Sequence, residues 1–373
     1  MDAVSTDFES EGLLEGLEGD AREARLELLR ELEDDGVSLE ELRAAVEEDR
    51  IALLPVERVY DPPGDRRTIG EIAEEAGVPL ESLTRYQRAL GLRVPDPDER
   101  AAGEHDLEMA KLVRGFLDAG LPEAGLLEVT RVIGLSMSQV ARAVSQLTAQ
   151  TVLSDAESER DVAMRLAAAA EALTPMASEI FDHAFRIHQL EVLRSEVVGS
   201  EQIESGKLAG SQEYTIAFAD LVGFTKLGER LDPEEYGEVT ERLAELAADI
   251  AEPPVRLVKL IGDAAMLASR ENAPVITAAL ALQAAAKEDE GLPELRIGVA
   301  RGPALPRAGD LYGRAVNLAS RLTAIARPDS VLCDEAAHDA AEEDFDWSHA
   351  GSKRIKGISG QVRMFRAREP EES

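Results

Sequence analysis

The sequence predicts an α+β domain of ferredoxin-like layout preceded by an all-α domain. Its 373 residues exceed the usual size of one domain, and 44% of them are hydrophobic, enough for two packed cores. Apolar residues recur with helical spacing up to about residue 198, whereas from about residue 213 short apolar runs typical of strands alternate with helices. We therefore place an all-helical domain at 1–198, a linker rich in Gly and Ser at 199–212 and the α+β domain at 213–373.

Composition narrows the cellular setting. The chain has one cysteine, Cys333, which excludes an intrachain disulfide and fits a reducing compartment. No apolar run is long enough to span a membrane, and the acidic N-terminus does not have the pattern of a signal peptide. We expect a cytoplasmic protein that does not contact a membrane. A net charge of −34 disfavours nucleic acids as partners unless basic residues cluster locally.

The first domain contains a helix-turn-helix pattern within residues 66–134. A helix opening at Thr68, a turn at Gly77 and a second helix after Pro79 resemble the DNA-binding head of mercury-resistance-type regulators. In a DNA-binding protein, Ser82 and Arg85 with Arg88 would enter the major groove. Seven acidic residues surround them, so we expect a helical scaffold rather than a DNA contact.

The last part of the helical domain leads to the linker. Residues 161–173 are rich in Ala and predict a helix, and a long amphipathic pattern follows Pro175. His183 and His188 lie in that pattern, and histidine titrates near neutral pH. One hypothesis is that their protonation shifts this helix and regulates the second domain; the alternative is two ordinary histidines.

The elements of the second domain follow in order. Residues 216–219 predict a buried strand that ends at Asp220, and Asp232 caps a helix that begins with Pro233. Residues 255–261 and 264–268 predict a hairpin around Gly262-Asp263. A helix at 274–287, a strand at 295–300, a helix at 315–326 and short strands at 331–332 and 362–365 complete the domain. Strand, helix, hairpin, helix and strand in this order are the ferredoxin-like arrangement.

Asp220 and Asp263 are the first candidate site residues. One ends a strand and the other lies at the tip of a neighbouring hairpin, so the two can share one or two divalent cations. The alternative is that both are turn residues that hydrogen-bond their own backbones. The two segments alone leave both interpretations open.

Three further signals accompany this pair. Asn317 and Arg321 lie four residues apart, on one face of a helix that follows Asp310. Lys259 precedes Asp263 on the hairpin strand, and Lys356 lies in a basic turn. Each of these signals alone has an ordinary structural explanation, such as a surface patch or a lysine stem packed along apolar residues.

Taken together, these residues resemble the catalytic domain of class III nucleotidyl cyclases over about residues 211–367, and the two-domain plan resembles that of soluble actinobacterial adenylate cyclases. The resemblance implies conversion of ATP to 3′,5′-cyclic AMP and pyrophosphate, regulated by the helical domain. It also implies a role for each residue: Asp220, Asp263 and the carbonyl of Leu221 bind two Mg²⁺ or Mn²⁺ ions, Lys259 and Asp310 bind adenine, Asn317 orients the ribose, Arg321 stabilises the transition state and Lys356 binds the terminal phosphates.

The same resemblance implies a homodimer with shared active sites. The aspartates of one copy would face the nucleotide-binding residues of the other, and main-chain N–H groups at Gly223-Phe224-Thr225 would bind the β- and γ-phosphates. Two alternatives remain. One is a guanylate cyclase, and the other is a DNA-binding regulator whose cyclase-like domain binds nucleotide without catalysis.

Overall fold

The computed structural model describes residues 6–154, 156–194, 211–228, 230–358 and 360–370. The chain divides into two compact units, Met1–Leu190 and Glu191–Ser373. The predicted domain limits remain a prediction, because most of the expected linker at 199–212 lies outside the described residues. None of the described helices combines the length and the apolar character that a membrane span requires.

The described part of the first unit is helical, as expected. A 3₁₀ turn at Ile51–Leu53 precedes α3. The helices are α1 Gly19–Asp34, α2 Leu39–Glu47, α3 Leu54–Tyr60, α4 Ile69–Ala76, α5 Leu80–Leu90, α6 Glu104–Asp118, α7 Glu123–Leu153 and α8 Glu159–Val192.

Two separate cores support this unit. The first is formed mainly by α1, α2 and the segments beside them, with the side chain of Ala163 from α8. The second is formed by α4, α5 and α6, with Leu127 from the first turns of α7. The buried residues of α7 and α8 in these cores therefore come from the N-terminal part of each helix.

The helix-turn-helix forms as the sequence predicts. Thr68 Oγ1 accepts a hydrogen bond from the Glu71 N–H at 3.2 Å, and the Glu71 carboxylate accepts one from the Thr68 N–H at 2.7 Å, which caps α4. Gly77 ends α4 at φ 67°, a conformation that glycine adopts without strain. Leu83 and Tyr86 bury the inner face of α5.

Two ion pairs fix the start of α8 to α1. In one pair the arginine belongs to α1, and in the other it belongs to α8. Arg25 of α1 binds both oxygens of Glu159, with 2.7 Å between Nη2 and Oε1. Arg160 of α8 binds Glu31 of α1, with 3.0 Å between Nε and Oε2. Since Ala163 is fully buried beside them, this end of α8 is anchored in the first core.

The second unit is built on one eight-stranded sheet. Its spatial order is β2-β3-β1-β4-β6-β8-β7, with β5 paired to β4. Only the β4–β6 pairing is parallel among the described strands. The elements are β1 Gln212–Leu221, α9 Phe224–Leu227, α10 Pro233–Ile250, β2 Arg256–Ile261, β3 Ala264–Ser269, α11 Asn272–Glu288, β4 Leu295–Arg307, β5 Asp310–Gly313, α12 Arg314–Ile325, β6 Ser330–Asp334, α13 Glu335–Asp339, β7 Asp346–Lys353 and β8 Val362–Arg368.

The first four strands confirm the ferredoxin-like arrangement. Each face of the sheet has its own core, because successive side chains of a strand point to opposite sides. Ala217, Ala219 and Leu221 of β1 face α10 and α11, whereas Ile216 and Phe218 face α12. Asp220 belongs by this alternation to the α12 face, which is therefore the face on which the site is built.

Candidate active site

The fold brings the two aspartates to the same end of neighbouring strands. Asp220 is paired with Ala264 in the antiparallel ladder of β1 and β3, one residue beyond Asp263. The N–H of Leu221 donates a hydrogen bond to the carbonyl of Asp263 at 3.1 Å, which fixes the hairpin tip against the end of β1. Gly262 permits the tight turn at φ 59°.

An arginine completes this charged group. Arg296 lies directly opposite Asp220 in the ladder of β1 and β4. Its Nε and Nη2 atoms are 2.6 Å and 2.5 Å from Oδ2 of Asp220, so the guanidinium donates to this carboxylate through two nitrogens. Burial raises the pKa of Asp263, and the negative charge of Asp220 raises it further, while Arg296 offsets part of the effect.

This arrangement suits a cation that keeps free positions for another ligand. Within the described ranges, no group of three or more His, Cys, Asp or Glu residues could hold a metal ion by itself. Mg²⁺ in nucleotide sites typically binds one or two carboxylates and takes its remaining ligands from phosphates and water. A cation between Asp220 and Asp263 would also remove the repulsion that raises the pKa of Asp263.

A second pair of predicted residues is in direct contact. Lys259 Nζ donates to Oδ2 of Asp310 at 2.5 Å, and Oδ1 of Asp310 accepts the N–H of Leu311 at 2.8 Å. The side chains are 34% and 25% exposed, so both remain accessible to a ligand. The structure therefore places one donor and one acceptor side by side, at residues 51 positions apart in the sequence.

The remaining predicted polar residues face outward. Leu318 and Leu322 bury one side of α12 against the sheet, which leaves Asn317 and Arg321 exposed on the other. Lys356 is exposed beside the buried Ile355 in the turn between β7 and β8. These three polar side chains have no hydrogen-bond or ion-pair partner among the residues that the structure describes.

Phe224, in the segment after β1, can offer only its main chain to a ligand. The Phe224 ring is 1% exposed, and its centroid lies 4.3 Å from that of Tyr236. Its side chain thus belongs to the core, and the predicted binding role falls to the backbone N–H groups. Gly223 precedes the short α9 at φ 77°. The side chain of Thr225 lies outside the described part of the chain.

The two candidate regulatory residues are also located. His183 and His188 both lie on the exposed C-terminal half of α8. Arg296 is the residue that sequence reasoning missed. Its signal was the one charged residue of the predicted strand at 295–300, but its contact depends on its position opposite Asp220, which the sequence does not display.

Comparison with known proteins gives two family matches. Residues 6–193 match the adenylate cyclase regulatory domain, and residues 207–367 match the adenylate and guanylate cyclase catalytic domain. These two segments correspond to the helical unit and to the sheet with its helices.

Curated relatives carry both segments. The chain is 38% identical over 369 residues to a pH-sensitive adenylate cyclase of Mycobacterium tuberculosis, an alignment that covers 97% of this chain and 92% of the relative. It is 33% identical over 289 residues to an adenylate cyclase of Streptomyces coelicolor, covering 76% and 72% of the two chains. An adenylate cyclase of Streptomyces griseus is 35% identical over 288 residues, covering 73% and 68%.

Proposed function

The chain belongs to the adenylate cyclase family, and on that premise we propose that two copies of it convert ATP to 3′,5′-cyclic AMP and pyrophosphate at shared active sites. One observation carries the proposal: Asp220 and Asp263 meet where β1 ends, with burial and mutual repulsion raising the pKa of Asp263. Two carboxylates held together in this way are suited to bind divalent cations.

The family of the catalytic domain uses divalent metal ions. We propose that Asp220, Asp263 and the carbonyl of Leu221 hold two Mg²⁺ or Mn²⁺ ions. When bound, the ions neutralise phosphate charge and favour deprotonation of the attacking 3′-hydroxyl. The chain's own residues then have to hold the triphosphate and the ribose in line for attack of the 3′-oxygen on the α-phosphorus.

Arg296 fits the first of these tasks. Its guanidinium is bound to Asp220 in the structure, beside the place where a triphosphate would reach the aspartates. Phosphate oxygens are equivalent acceptors for a guanidinium, so Arg296 can bind a phosphate while Asp220 binds a cation. The main-chain N–H groups of Gly223 and Phe224 add neutral donors nearby, because the segment follows Asp220 directly.

The Lys259–Asp310 pair fits the edge of adenine. Lys259 would donate to the ring nitrogen N1, and Asp310 would accept from the exocyclic amine N6. The contact at 2.5 Å shows that the two groups are close enough to bind neighbouring atoms of one ring. Guanine reverses the order of donor and acceptor and would leave both half-buried groups without a partner, which favours ATP over GTP.

Asn317, Arg321 and Lys356 support the shared site. Each is exposed and has no partner among the described residues of one copy, as expected of residues presented to a nucleotide on a second copy. Arg321 would bind negative charge that builds up only in the transition state, so its contribution would appear in kcat more than in KM. Asn317, one helical turn away, would bind the ribose, and Lys356 the terminal phosphates.

The helical unit is proposed to restrain this activity. Its match to a regulatory domain and the pH-sensitive relative support a response to pH in this chain as well. His183 and His188 are the candidate proton acceptors, because they lie exposed on the last helix before the catalytic half. We also propose that the protein is cytoplasmic, as expected from its single cysteine.

The direct test is product formation by the purified full chain. We expect cyclic AMP from ATP with Mg²⁺ or Mn²⁺, none with excess chelator, and weak competition by GTP. Asp220→Ala and Asp263→Ala should each lower kcat by at least about 100-fold because the cation ligands are lost. Asp249→Ala is the matched control, an exposed aspartate on α10. Unchanged activity in both site variants, or full activity with chelator, would contradict the proposal.

A further inference from the structure

The main chain of α12 lies directly on the sheet. The residues of β4 that face this helix, at positions 298, 300, 302 and 304, are all glycine or alanine. A Cβ added to Gly298 would collide with the main-chain nitrogen of Thr323 and would lie 2.5 Å from the carbonyl oxygen of Ala319. Glycine in a strand permits such a close approach of a second backbone, because it has no side chain to separate the two.

Thr323 uses this approach to contact a second strand. Its side chain is 5% exposed, and Oγ1 lies 3.1 Å from the carbonyl oxygen of Phe218 in β1. The same oxygen lies 2.9 Å from the carbonyl of Ala319, one turn earlier in α12. A hydroxyl has one proton to donate, so the two carbonyls share it. The buried hydroxyl thus joins α12 to the main chain of β1.

Both ends of this contact lie beside residues of the proposed active site. Phe218 precedes Asp220 by two residues, so their side chains are on the same face of β1. Thr323 follows Arg321 by two residues and Asn317 by six, which places it on roughly the opposite side of α12 from both. The contact therefore fixes how α12 presents its outward side relative to the strand that carries Asp220.

We propose that Thr323 is a positioning residue, whose hydrogen bond to Phe218 sets the height and rotation of α12 over the sheet. The residues that it positions are Asn317 and Arg321, so this role rests on the proposed function. A helix held only by apolar side chains can shift slightly at little cost, whereas a buried hydroxyl that leaves its acceptor loses a hydrogen bond. Small shifts matter most for a group that binds charge in the transition state.

The proposed dimer gives this role a direction. Each copy would supply Asp220 to one active site and Arg321 to the other. Thr323 lies on α12, so it serves the site that receives Arg321 of its own copy.

Two substitutions separate the hydroxyl of Thr323 from the rest of its side chain. Thr323→Val keeps the shape and removes the hydroxyl, and Thr323→Ser keeps the hydroxyl. In the full chain, we expect Thr323→Val to lower kcat about 10-fold with KM for ATP unchanged within about two-fold, because the loss falls on the transition state. Thr323→Ser should retain most of the original kcat.

Thr215→Val is the matched control for a purely structural effect. It removes another fully buried hydroxyl of the same unit, which donates to Oδ1 of Asn272 at 2.8 Å near the opposite end of β1 from Asp220. This control should lower the melting temperature at least as much as Thr323→Val, yet leave kcat near that of the unchanged chain. Equal kcat in the two Thr323 variants, or an equal loss of kcat in Thr215→Val, would overturn the positioning role.

Failure of the proposed function gives a different result. An unsubstituted chain that forms no cyclic AMP would contradict the function and this role together. An active chain whose Thr323→Val and Thr323→Ser variants match would contradict the role of Thr323 alone.

Mixed dimers test the direction of the effect. When Asp220→Ala is mixed with Arg321→Ala, the one complete site takes α12 from the Asp220→Ala copy. Thr323→Val added to that copy should lower the recovered rate about 10-fold, whereas in the Arg321→Ala copy it should change the rate by less than about two-fold. Equal losses in the two arrangements, or a larger loss in the second, would overturn positioning through α12.

Discussion

At the scale of single residues, the Lys259–Asp310 contact is the feature proposed to select the base. Lys259→Ala removes the donor and leaves the carboxylate of Asp310 without its partner at 2.5 Å. We expect kcat/KM for ATP to fall roughly 100-fold, because a half-buried polar group loses its match in the complex. Steady-state kinetics with ATP and GTP measure this. An equal loss for both nucleotides would contradict a role in base selection, and Lys353→Ala, an exposed lysine of β7, is the control.

Asp334 gives a prediction about pH. It ends β6 and accepts the N–H of Ala337 at 3.0 Å and that of Arg301 at 3.2 Å. Burial raises its pKa from the usual 3.8 to about 6, although these hydrogen bonds and the charge of Arg314 oppose the rise. The folded state therefore holds the proton more tightly than the unfolded state. Stability from this group is greatest below about pH 4 and is lost as the pH rises through 6.

Asp334→Asn should remove that dependence. The amide oxygen still accepts the capping hydrogen bonds, but it has no proton to lose. Between pH 5 and pH 7.5 we expect the free energy of unfolding of the variant to rise by about 1.4 kcal/mol relative to that of the unchanged protein, for a pKa that moves from 3.8 to about 6. The melting temperatures of the two proteins at both pH values measure the gain. A difference that does not change with pH would contradict the assignment.

The sequence reveals some of these residues and conceals others. Asp220 and Asp263 are visible because each interrupts an apolar run at the predicted end of a strand. Arg296 and the contact between Lys259 and Asp310 are not visible, because they depend on the register of β1 with β4 and on a contact between distant segments. Local patterns cannot supply such pairings.

At the scale of elements, the strongest patterns gave the most accurate bounds. The hairpin predicted at 255–261 and 264–268 is observed at Arg256–Ile261 and Ala264–Ser269, since a Gly-Asp turn between apolar runs has few alternatives. β1 and β4 are longer than predicted because their polar ends pair in the ladder. β7 was missed because its polar residues, Asp346–Lys353, carry little apolar alternation at the edge of the sheet.

Pro175 is the clearest difference between prediction and structure. The sequence predicts a helix that ends before it and a second that follows, yet α8 continues through it from Glu159 to Val192. A proline removes one backbone hydrogen bond and crowds the preceding turn. The Ala-rich stretch before it has high helix propensity, which offsets this cost over many residues.

The helix-turn-helix gives a prediction about DNA. α4 and α5 have the expected shape, but Arg85 binds Glu123 and Arg100 binds Glu71. Arginines neutralised by carboxylates do not contribute to phosphate binding. We expect no retardation of random duplex DNA at low salt by micromolar full-length protein, measured by gel shift beside a cyclase assay. A retarded complex that salt abolishes would contradict this expectation and support the alternative, a DNA-binding regulator.

At the scale of the whole molecule, the two family matches assign a regulatory domain to the helical half and a catalytic domain to the other half. The two-domain plan was predictable because helical and strand periodicities separate cleanly along the chain. The exposure of apolar side chains on α7 and α8 was not predictable, because an amphipathic pattern does not show whether its apolar face is covered by the same chain.

Regulation by pH is tested with the full chain. His183→Asn together with His188→Asn keeps side chains of similar size but removes both imidazoles from α8. We expect the change in activity between pH 6 and pH 8 to become several-fold smaller, with kcat near the optimum preserved. The control is His105→Asn, an exposed histidine on α6. An unchanged pH profile in the double variant would assign the response to other groups.

The central claim is that each active site is assembled from two copies, and complementation tests it most directly. Asp220→Ala retains an intact Arg321 and Arg321→Ala retains intact aspartates, so a mixed dimer has one complete site. We predict that each variant alone loses at least 99% of its activity and that a mixture recovers up to about one quarter of the original rate, as random pairing gives half mixed dimers with one site each. A mixture as inactive as its components, under conditions where subunits demonstrably exchange, would contradict the account.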